Sequence, residues 1–398
     1  MKLHHPEIRL LSALLNALTT KSGKTTLACL GHVFFTPVSG HTLISASDLD
    51  LDFYWPVPLI SSVSLPVPNS TAGFPLSAPA SCPIDWFLKI ASAVRTGGHL
   101  ELCTDGRFLS AYPSQGPSAR SPEPSIPIAD APPFSTSGFS SGGWLSHATL
   151  ERAAQAFPFI STDETRHVLQ GAFITAAGHV VATDGRKLAH SPTRGTQLPR
   201  DLILPTRMIK AFEALANGTV DGSAILHGPE HLRMQCWLSS EDAVAQRLLA
   251  MHSGCYLRAR LIEGNYPNWR QVIPTGFNVM LDIDPEFLAI LKITLARAER
   301  KKEARVVLDL QPNGTLTAAI RYDKAGSDLI DPVPAGTHTR SPDQPLFAAC
   351  YNAVFLLHCL TFSGLRLYAI DEISPLRSGD PDSAQTILMP YRLTTAAR

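Results

Sequence analysis

Apolar residues recur along this chain with two alternating periods, one helical and one strand-like, and the alternation comes round three times. Ile8, Leu11, Leu14, Leu15 and Leu18 share one face at helical spacing, with Arg9 off that face. Strand-like runs follow at Cys29–Thr36 and Thr42–Ala46, the second leading into Asp48-Leu49-Asp50-Leu51-Asp52. Ile84, Phe87, Leu88, Ala91 and Val94 predict a second helix that leaves Lys89 and Arg95 outward. Leu100–Cys103 and Arg107–Tyr112 predict a hairpin around Asp105-Gly106, because glycine supplies the positive φ that a tight hairpin needs. Pro113 to Gly143, rich in Pro, Ser and Gly, reads as a linker or long surface loop.

The second pass starts with a helical stripe at Leu150, Ala153, Ala154 and Phe157. Val168–Thr175 and His179–Thr183 then read as strands joined by an Ala-Ala-Gly turn. Asp184-Gly185 makes another tight turn before Arg186-Lys187-Leu188 opens the next strand. Met208, Ile209, Phe212 and Leu215 mark a helix flanked by Arg207 and Lys210, and Ser223–Leu226 is expected to pair with Leu232–Leu238. The third pass opens with Asp284 as cap and Pro285 in the first helical turn, followed by the stripe Phe287, Ile290, Leu291, Leu295 and Ala298. Val306–Leu310 and Thr315–Tyr322 pair across Asn313-Gly314, and Asn352–Thr361 is the last helix. Helix starts near Pro6, His147 and Pro285 are almost evenly spaced. The passes share architecture rather than text, so the chain reads as α+β units repeated three times.

Composition narrows the function. At 398 residues the chain is long enough for two or three domains. Lys plus Arg (34) balance Asp plus Glu (34), so a nucleic-acid contact must come from local segregation of charge. Seven scattered cysteines without a C-x-x-C pair argue against a disulfide framework or a zinc site and fit a reducing cytoplasm. The fourteen histidines include no H-E-x-x-H spacing, so neither a metal nor a cofactor is expected. Leu10–Leu18 is broken as a signal peptide by Glu7, Arg9 and Asn16. Leu346–Phe362 is shorter than a membrane span and carries Asn352 and His358, which favours a core helix.

Two short motifs invite enzymatic readings. Ser22-Gly23-Lys24-Thr25 lacks the first glycine of a phosphate-binding loop, since Leu18 stands there, and it follows a helix rather than a strand. Gly138-Phe139-Ser140-Ser141-Gly142 has the spacing of a nucleophile elbow, which makes a serine hydrolase using Ser140 the alternative from another class. The Ser/Gly-rich surroundings argue against the strained strand-to-helix turn that such a serine needs.

Three stretches together carry a resemblance. Glu164-Thr165-Arg166-His167-Val168-Leu169-Gln170-Gly171 is followed by Ala182-Thr183-Asp184-Gly185-Arg186-Lys187-Leu188-Ala189. Then come Leu261–Pro274, containing Glu263-Gly264-Asn265-Tyr266-Pro267, and Ile387-Leu388-Met389-Pro390-Tyr391-Arg392-Leu393. In this order and at these separations they resemble the bacterial DNA polymerase III beta subunit family, the sliding clamps. The likeness is clear from about Gly143 onward and faint before it.

The resemblance implies a fold of three consecutive DNA-clamp-type domains, at 1–137, 138–275 and 276–398, each with two helices packed on antiparallel sheets. It implies a homodimer joined head-to-tail, each chain forming half of a ring around duplex DNA. Such a ring tethers a polymerase without chemistry of its own, in the bacterial cytoplasm with the nucleoid. Carried over by position, sequence-independent DNA contacts fall on Lys24, Lys89, Arg95, Arg152, Arg166, His167, Arg207 and Lys210. A groove for short peptides of polymerase and clamp-loader subunits falls on Leu169, Thr183, Gly185, Arg186, Lys187, Leu188, Pro267, Val272, Ile387, Met389, Pro390, Tyr391, Arg392 and Leu393. Several residues depart from the family. His167 and Val168 stand where aromatics are usual, Gln271 replaces an arginine, and Thr394–Arg398 extend past the usual end. Glu299-Arg300-Lys301-Lys302-Glu303 is charged where relatives are apolar at the ring joint. These departures keep a second alternative open: a clamp paralogue that binds clamp partners, of the mobile-element or specialised-polymerase type.

Overall fold

Each helix forms where its sequence supplies both an apolar stripe and a start signal. Helix α1 (His5–Ala17) has Pro6 in its first turn, and the Glu7 carboxylate accepts the His4 backbone N–H at 2.7 Å. Its Ile8, Leu11, Leu14 and Leu15 are buried. Helices α2 (Ile84–Ala91) and α4 (Thr206–Asn217) both pack on α1, and α3 (His147–Gln155) buries Leu150 and Ala153. Helix α5 (Pro285–Arg297) follows Asp284, and α6 (Ala353–Ser363) is capped by the Asn352 side chain, which accepts the Phe355 N–H at 3.0 Å. These elements come from a computed structural model, which describes all residues except 19–26, 39–40, 59–75, 77, 132, 134–136, 218–232, 240–246, 253–254, 299, 323–327, 381 and 392–398.

The chain forms two compact units: Met1–Ala154 with Arg194–Glu263, and Gln155–Thr193 with Gly264–Arg398. The first unit holds a small antiparallel sheet in the order Lys2–His4, His99–Thr104, Leu109–Pro113, Ala119–Arg120. It also holds an eight-stranded sheet, in the order Ala80–Pro83, His32–Val38, His41–Ser47, Leu51–Pro58, Cys255–Arg260, Arg247–His252, Arg233–Ser239, Phe139–Ser146. In the second unit the strands run Gly171–Ile174, Val180–Thr183, Lys187–Ser191, Gln385–Leu388, Leu376–Ser378, Arg366–Ala369, Val279–Ile283. Asp328–Arg340, Thr315–Tyr322, Ala304–Leu310 and Ala348–Asn352 continue that sheet, against which α5 and α6 pack together.

Two ladders join strands that are distant in sequence. Leu51–Tyr54 pair antiparallel with Tyr256–Ala259, and Lys187–His190 pair with Gln385–Leu388. The first ladder carries an ionic cluster. Arg258 Nε donates to Asp52 Oδ2 at 2.6 Å, and Arg247 lies 3.7 Å from the same carboxylate. Arg207 clamps Asp48 at 2.8 Å and Asp50 at 2.6 Å, and Arg260 adds a 3.7 Å approach to Asp50. The Ser47 hydroxyl also donates to Asp52. Asp48 and Asp52 are buried, and a buried carboxylate persists because it is paired and hydrogen-bonded.

Three sequence readings need correction. The expected strand Val168–Thr175 begins only at Gly171. Glu164–Leu169 is a 3₁₀ turn, because the Asp163 side chain accepts the Thr165 N–H at 3.0 Å and caps it. The expected linker Pro113–Gly143 contains the pair Ala119–Arg120 and the start of the strand Phe139–Ser146. Its glycines are what let that strand form: a Cβ on Gly143 would sit 2.5 Å from the Gln197 carbonyl oxygen. Ser140 therefore lies inside a ladder with Arg233–Ser239, not on a strand-to-helix turn, and the hydrolase alternative falls. The expected strand Ser223–Leu226 and the motif Ser22–Thr25 lie outside the described residues.

Removing the Asp52 carboxylate strands Arg258, itself mostly buried, without its counter-ion. Asp52→Ala is expected to lower stability by about 3 kcal/mol. Urea unfolding should show a lower midpoint at an unchanged slope, and an unchanged midpoint would mean that the cluster contributes nothing net.

Candidate peptide groove

Several of the expected groove residues lie on the Asp184-Gly185 turn and the strand Lys187–Ser191 that follows it. Asp184 Oδ1 accepts the backbone N–H groups of Arg186 (2.9 Å) and Lys187 (3.0 Å), while the Thr183 hydroxyl donates to the Lys187 carbonyl at 2.8 Å. Gly185 has φ +86°, and a Cβ there would meet Arg166 Nη1 at 2.7 Å. The Arg166 guanidinium lies across the turn, donating to the Asp184 carbonyl at 3.3 Å and facing Asp163 at 3.6 Å.

From this turn the chain enters the ladder Lys187–His190 against Gln385–Leu388, which sets Leu188 opposite Ile387 and Lys187 opposite Leu388. The Met389 N–H continues it, donating to the Arg186 carbonyl at 3.0 Å. Alternation across the strand gives the two faces different chemistry. On one face Leu188, Ile387, Val181 and Trp269 form a buried cluster, with Phe173, Tyr266 and Ile273 against it. Phe173 and Tyr266 stack at 4.7 Å between ring centroids. Val272 and Met389, next in sequence to Ile273 and Leu388, are 50% and 44% exposed.

On the other face Lys187 points inward. Its ammonium lies 3.9 Å from the Phe355 ring centroid, 5.7 Å from Phe159 and 3.4 Å from Asp184 Oδ2. Burial pushes its pKa down and the Asp184 carboxylate partly offsets this. Lys187 is thus held inside the fold, whereas Arg186 and Arg270 are exposed, the latter stacked 4.3 Å over Trp269. Trp269 in turn stacks on His190 at 4.5 Å, and His190 Nε2 is 3.0 Å from His179 Nδ1. Burial, then His179 and Arg270, hold the His190 imidazole down at about 4. His358, near Lys187, is held at about 4 by burial and by that ammonium.

The other expected groove positions differ in environment. Pro267 is exposed beside Tyr266, Pro390 is half-buried, and Tyr391 donates its N–H to Cys350 at 2.7 Å with Arg305 4.0 Å over its ring. Leu169 is buried, its carbonyl accepting the Ser161 N–H at 2.9 Å, and Arg392 and Leu393 lie outside the described residues. Sequence reasoning missed Phe173, Trp269 and Phe355. Trp269 had a signal, an aromatic in the loop after Tyr266-Pro267, whereas nothing local marks Phe355. Among the described residues no group of His, Cys, Asp and Glu could hold a metal ion. The arrangement offers shape and charge rather than a nucleophile with its base.

The basic positions divide. Lys89, Arg95 and Lys210 are exposed, as are Arg166 and His167. Arg152 is half-buried, and Arg207 is engaged by Asp48 and Asp50. Lys24 lies outside the described residues.

No family model matches the chain. Whole-chain comparisons do. The beta sliding clamp of Caulobacter vibrioides is 23% identical, covering 99% of this chain and 100% of that protein. The Escherichia coli K12 beta sliding clamp is 22% identical over 93% of this chain and 94% of its own. The chain is a divergent relative of the bacterial beta sliding clamps. Solved structures agree on the fold. The DNA polymerase III beta subunit of Thermotoga maritima superposes with a TM-score of 0.75 at 16% identity, covering 99% of both chains. The sliding clamp from Bartonella birtlesii, solved bound to griselimycin, gives 0.73 at 18% identity and the same coverage. The α+β clamp fold therefore extends through the first third of the chain, where the sequence likeness was faint.

A pH effect follows from the buried His190 imidazole and the half-buried His358. Unfolded, each titrates near 6.5; folded, near 4. Between those values the unfolded chain binds more protons, so stability rises with pH from about 4 to about 6.5 and is level above. Acidification to about pH 5 should cost on the order of 2 kcal/mol per imidazole. Urea midpoints at about pH 7 and pH 5 check this: the drop should shrink in His190→Leu, and equal midpoints in the parent chain would contradict it.

Proposed function

We propose that this chain is a processivity clamp, a non-catalytic subunit that encircles duplex DNA and tethers a DNA polymerase. The observation that carries the reading is the groove. Val272 and Met389 are exposed apolar residues on the segments that bring Trp269 and Ile387 into one buried cluster with Leu188, in a chain that follows the clamp fold from end to end. Apolar walls, an adaptable methionine and the rim cations Arg186 and Arg270 suit a short peptide with an apolar anchor. Polymerase and clamp-loader subunits are the partners this chemistry fits.

In this reading the clamp domains are 1–137, 138–275 and 276–398, and two copies join head-to-tail, since heterologous contacts close into a ring when the rotation permits. Lys24, Lys89, Arg95, Arg152, Arg166, His167 and Lys210 supply sequence-independent attraction to phosphates. Arg207 contributes less, because its guanidinium is held by two aspartates. That diversion favours the second reading, a paralogue that takes clamp partners but grips DNA weakly. The protein works in the bacterial cytoplasm; no described helix is long and apolar enough to cross a membrane.

Loader-dependent loading onto nicked circular DNA separates these readings. A clamp stays on the circle at salt that strips ordinary electrostatic binders and leaves once the circle is cut. A chain that binds partner peptides yet never becomes topologically linked is the paralogue. Met389→Asp should weaken binding of a polymerase-derived peptide by at least about tenfold, since it places a charge against an apolar anchor. Unchanged binding would move the peptide site elsewhere.

A further inference from the structure

The eight-stranded sheet ends in the strand Phe139–Ser146, and a cavity of about 430 Å³ opens beside it. Its lining residues all belong to the first compact unit, whereas Leu188, Ile387 and Trp269 of the groove belong to the second. A glycine and a proline account for it. The Trp144 N–H donates to the Gln197 carbonyl at 2.7 Å, and the Gln197 N–H donates to the Trp144 carbonyl at 2.9 Å, an antiparallel bridge. Two residues on, that register sets Gly142 opposite Pro199, which has no N–H, and the bridge goes no further. Both polar groups of Trp144 face Gln197, so alternation along the strand sends those of Gly142 the same way, away from Arg233–Ser239. There they have no hydrogen-bond partner among the described residues.

On the face of the sheet, Trp144 stands opposite Gln235 and Gly142 stands opposite Trp237. Opposed residues share a face, and so do residues two apart on one strand. The bare Gly142 therefore leaves a gap flanked by two indoles: a Cβ there would lie 3.4 Å from the Trp237 ring. Trp144 is 42% exposed. The side-chain amides of Gln197 and Gln235 both line the cavity, and neither makes a hydrogen bond among the described residues. None of the lining residues carries a charge.

We propose that this cavity takes an unpaired nucleobase, its ring stacked on Trp144 and its polar edge on the Gln197 and Gln235 amides. The lack of charge argues against a site built for a phosphate or an ion, and the volume is that of a small-ligand site. Each amide offers a donor and an acceptor side by side. A run of prolines, the other usual occupant of an exposed-tryptophan groove, presents acceptors alone and would leave the amide oxygens unmet. A base presents a donor beside an acceptor on one edge and a flat face for the indole, and adenine fits a glutamine amide at two points. A free nucleoside and an unpaired base in single-stranded DNA offer the same chemistry. The inference goes beyond the clamp reading and does not depend on it, since the cavity and the apolar cluster of the groove share no residue.

Calorimetric titration of the full chain with adenosine, ribose and single-stranded oligo(dA) tests this. Adenosine is expected to bind, and Trp144→Ala should weaken it by at least about tenfold through loss of the stacking face. Gln235→Met and Gln197→Met keep the length of the side chain and lose its amide, so each should weaken adenosine in the same direction. An adenosine methylated twice at its exocyclic nitrogen, which has lost the donor, should bind the parent chain more weakly than adenosine does. Thermal unfolding confirms that each variant folds. Oligo(dA) binding that Trp144→Ala weakens assigns the cavity to single strands, and adenosine binding without oligo(dA) binding assigns it to free nucleosides. Ribose that binds as well as adenosine, adenosine binding unmoved by Trp144→Ala, or no binding of either base ligand at millimolar concentration would each overturn the proposal.

Discussion

A strand edge leaves a row of backbone N–H and C=O groups that must find partners, and this chain meets that demand by pairing strands from remote parts of the sequence. The ladder between Lys187–His190 and Gln385–Leu388 brings the Asp184-Gly185 turn beside Met389. Its register is fixed from both faces. A slip of one residue would carry Leu188 out of the cluster with Trp269 and Ile387 and bring Lys187 into it. The same slip would remove the ammonium from between Phe355, Phe159 and Asp184. An apolar contact on one side and a buried cation on the other both specify one alignment.

That explains why a lysine is tolerated in a buried position. Taken alone, a buried ammonium is costly, and the depressed pKa of Lys187 reports that cost. Two aromatic faces and the Asp184 carboxylate return part of it, and Asp184 is fixed by the backbone N–H groups of the turn it makes. Turn, cation and ladder are therefore one structural unit. Arg186 and Arg270 stay exposed, whereas Lys187 is used inside.

The sequence made local features legible and long-range ones opaque. The apolar stripes of α1, α2, α5 and α6 and the hairpins at Asp105-Gly106 and Asn313-Gly314 depend on neighbours a few residues away, and they form as the pattern predicts. Val168 and Leu169 look like the start of a strand, but Asp163 competes locally for the backbone and makes a 3₁₀ turn instead. Gly142 and Gly143 read as loop composition, whereas their missing side chains are what let an edge strand approach Gln197 and Trp237. The pairing of Leu188 with Ile387 joins two of the three resembled stretches, which lie far apart in sequence. Phe355 was not legible, since nothing around residue 355 indicates that it will meet residue 187.

Arg207 shows the same limit in electrostatic form. On its helix it looks like a solvent-facing cation suited to phosphate, and only the fold brings Asp48 and Asp50 within 2.8 and 2.6 Å of it. Asp48, Asp50 and Asp52 between them engage Arg207, Arg247, Arg258 and Arg260, so seven charges sum to only one net positive charge. In a chain of zero formal net charge, a basic surface must come from cations that no carboxylate has claimed. Exposed residues such as Lys89 and Arg95 keep their field, while the arginines of the ladder give theirs up to hold two strands together. Which cations can form a basic surface is therefore decided less by where lysine and arginine occur in the sequence than by which of them carboxylates already hold.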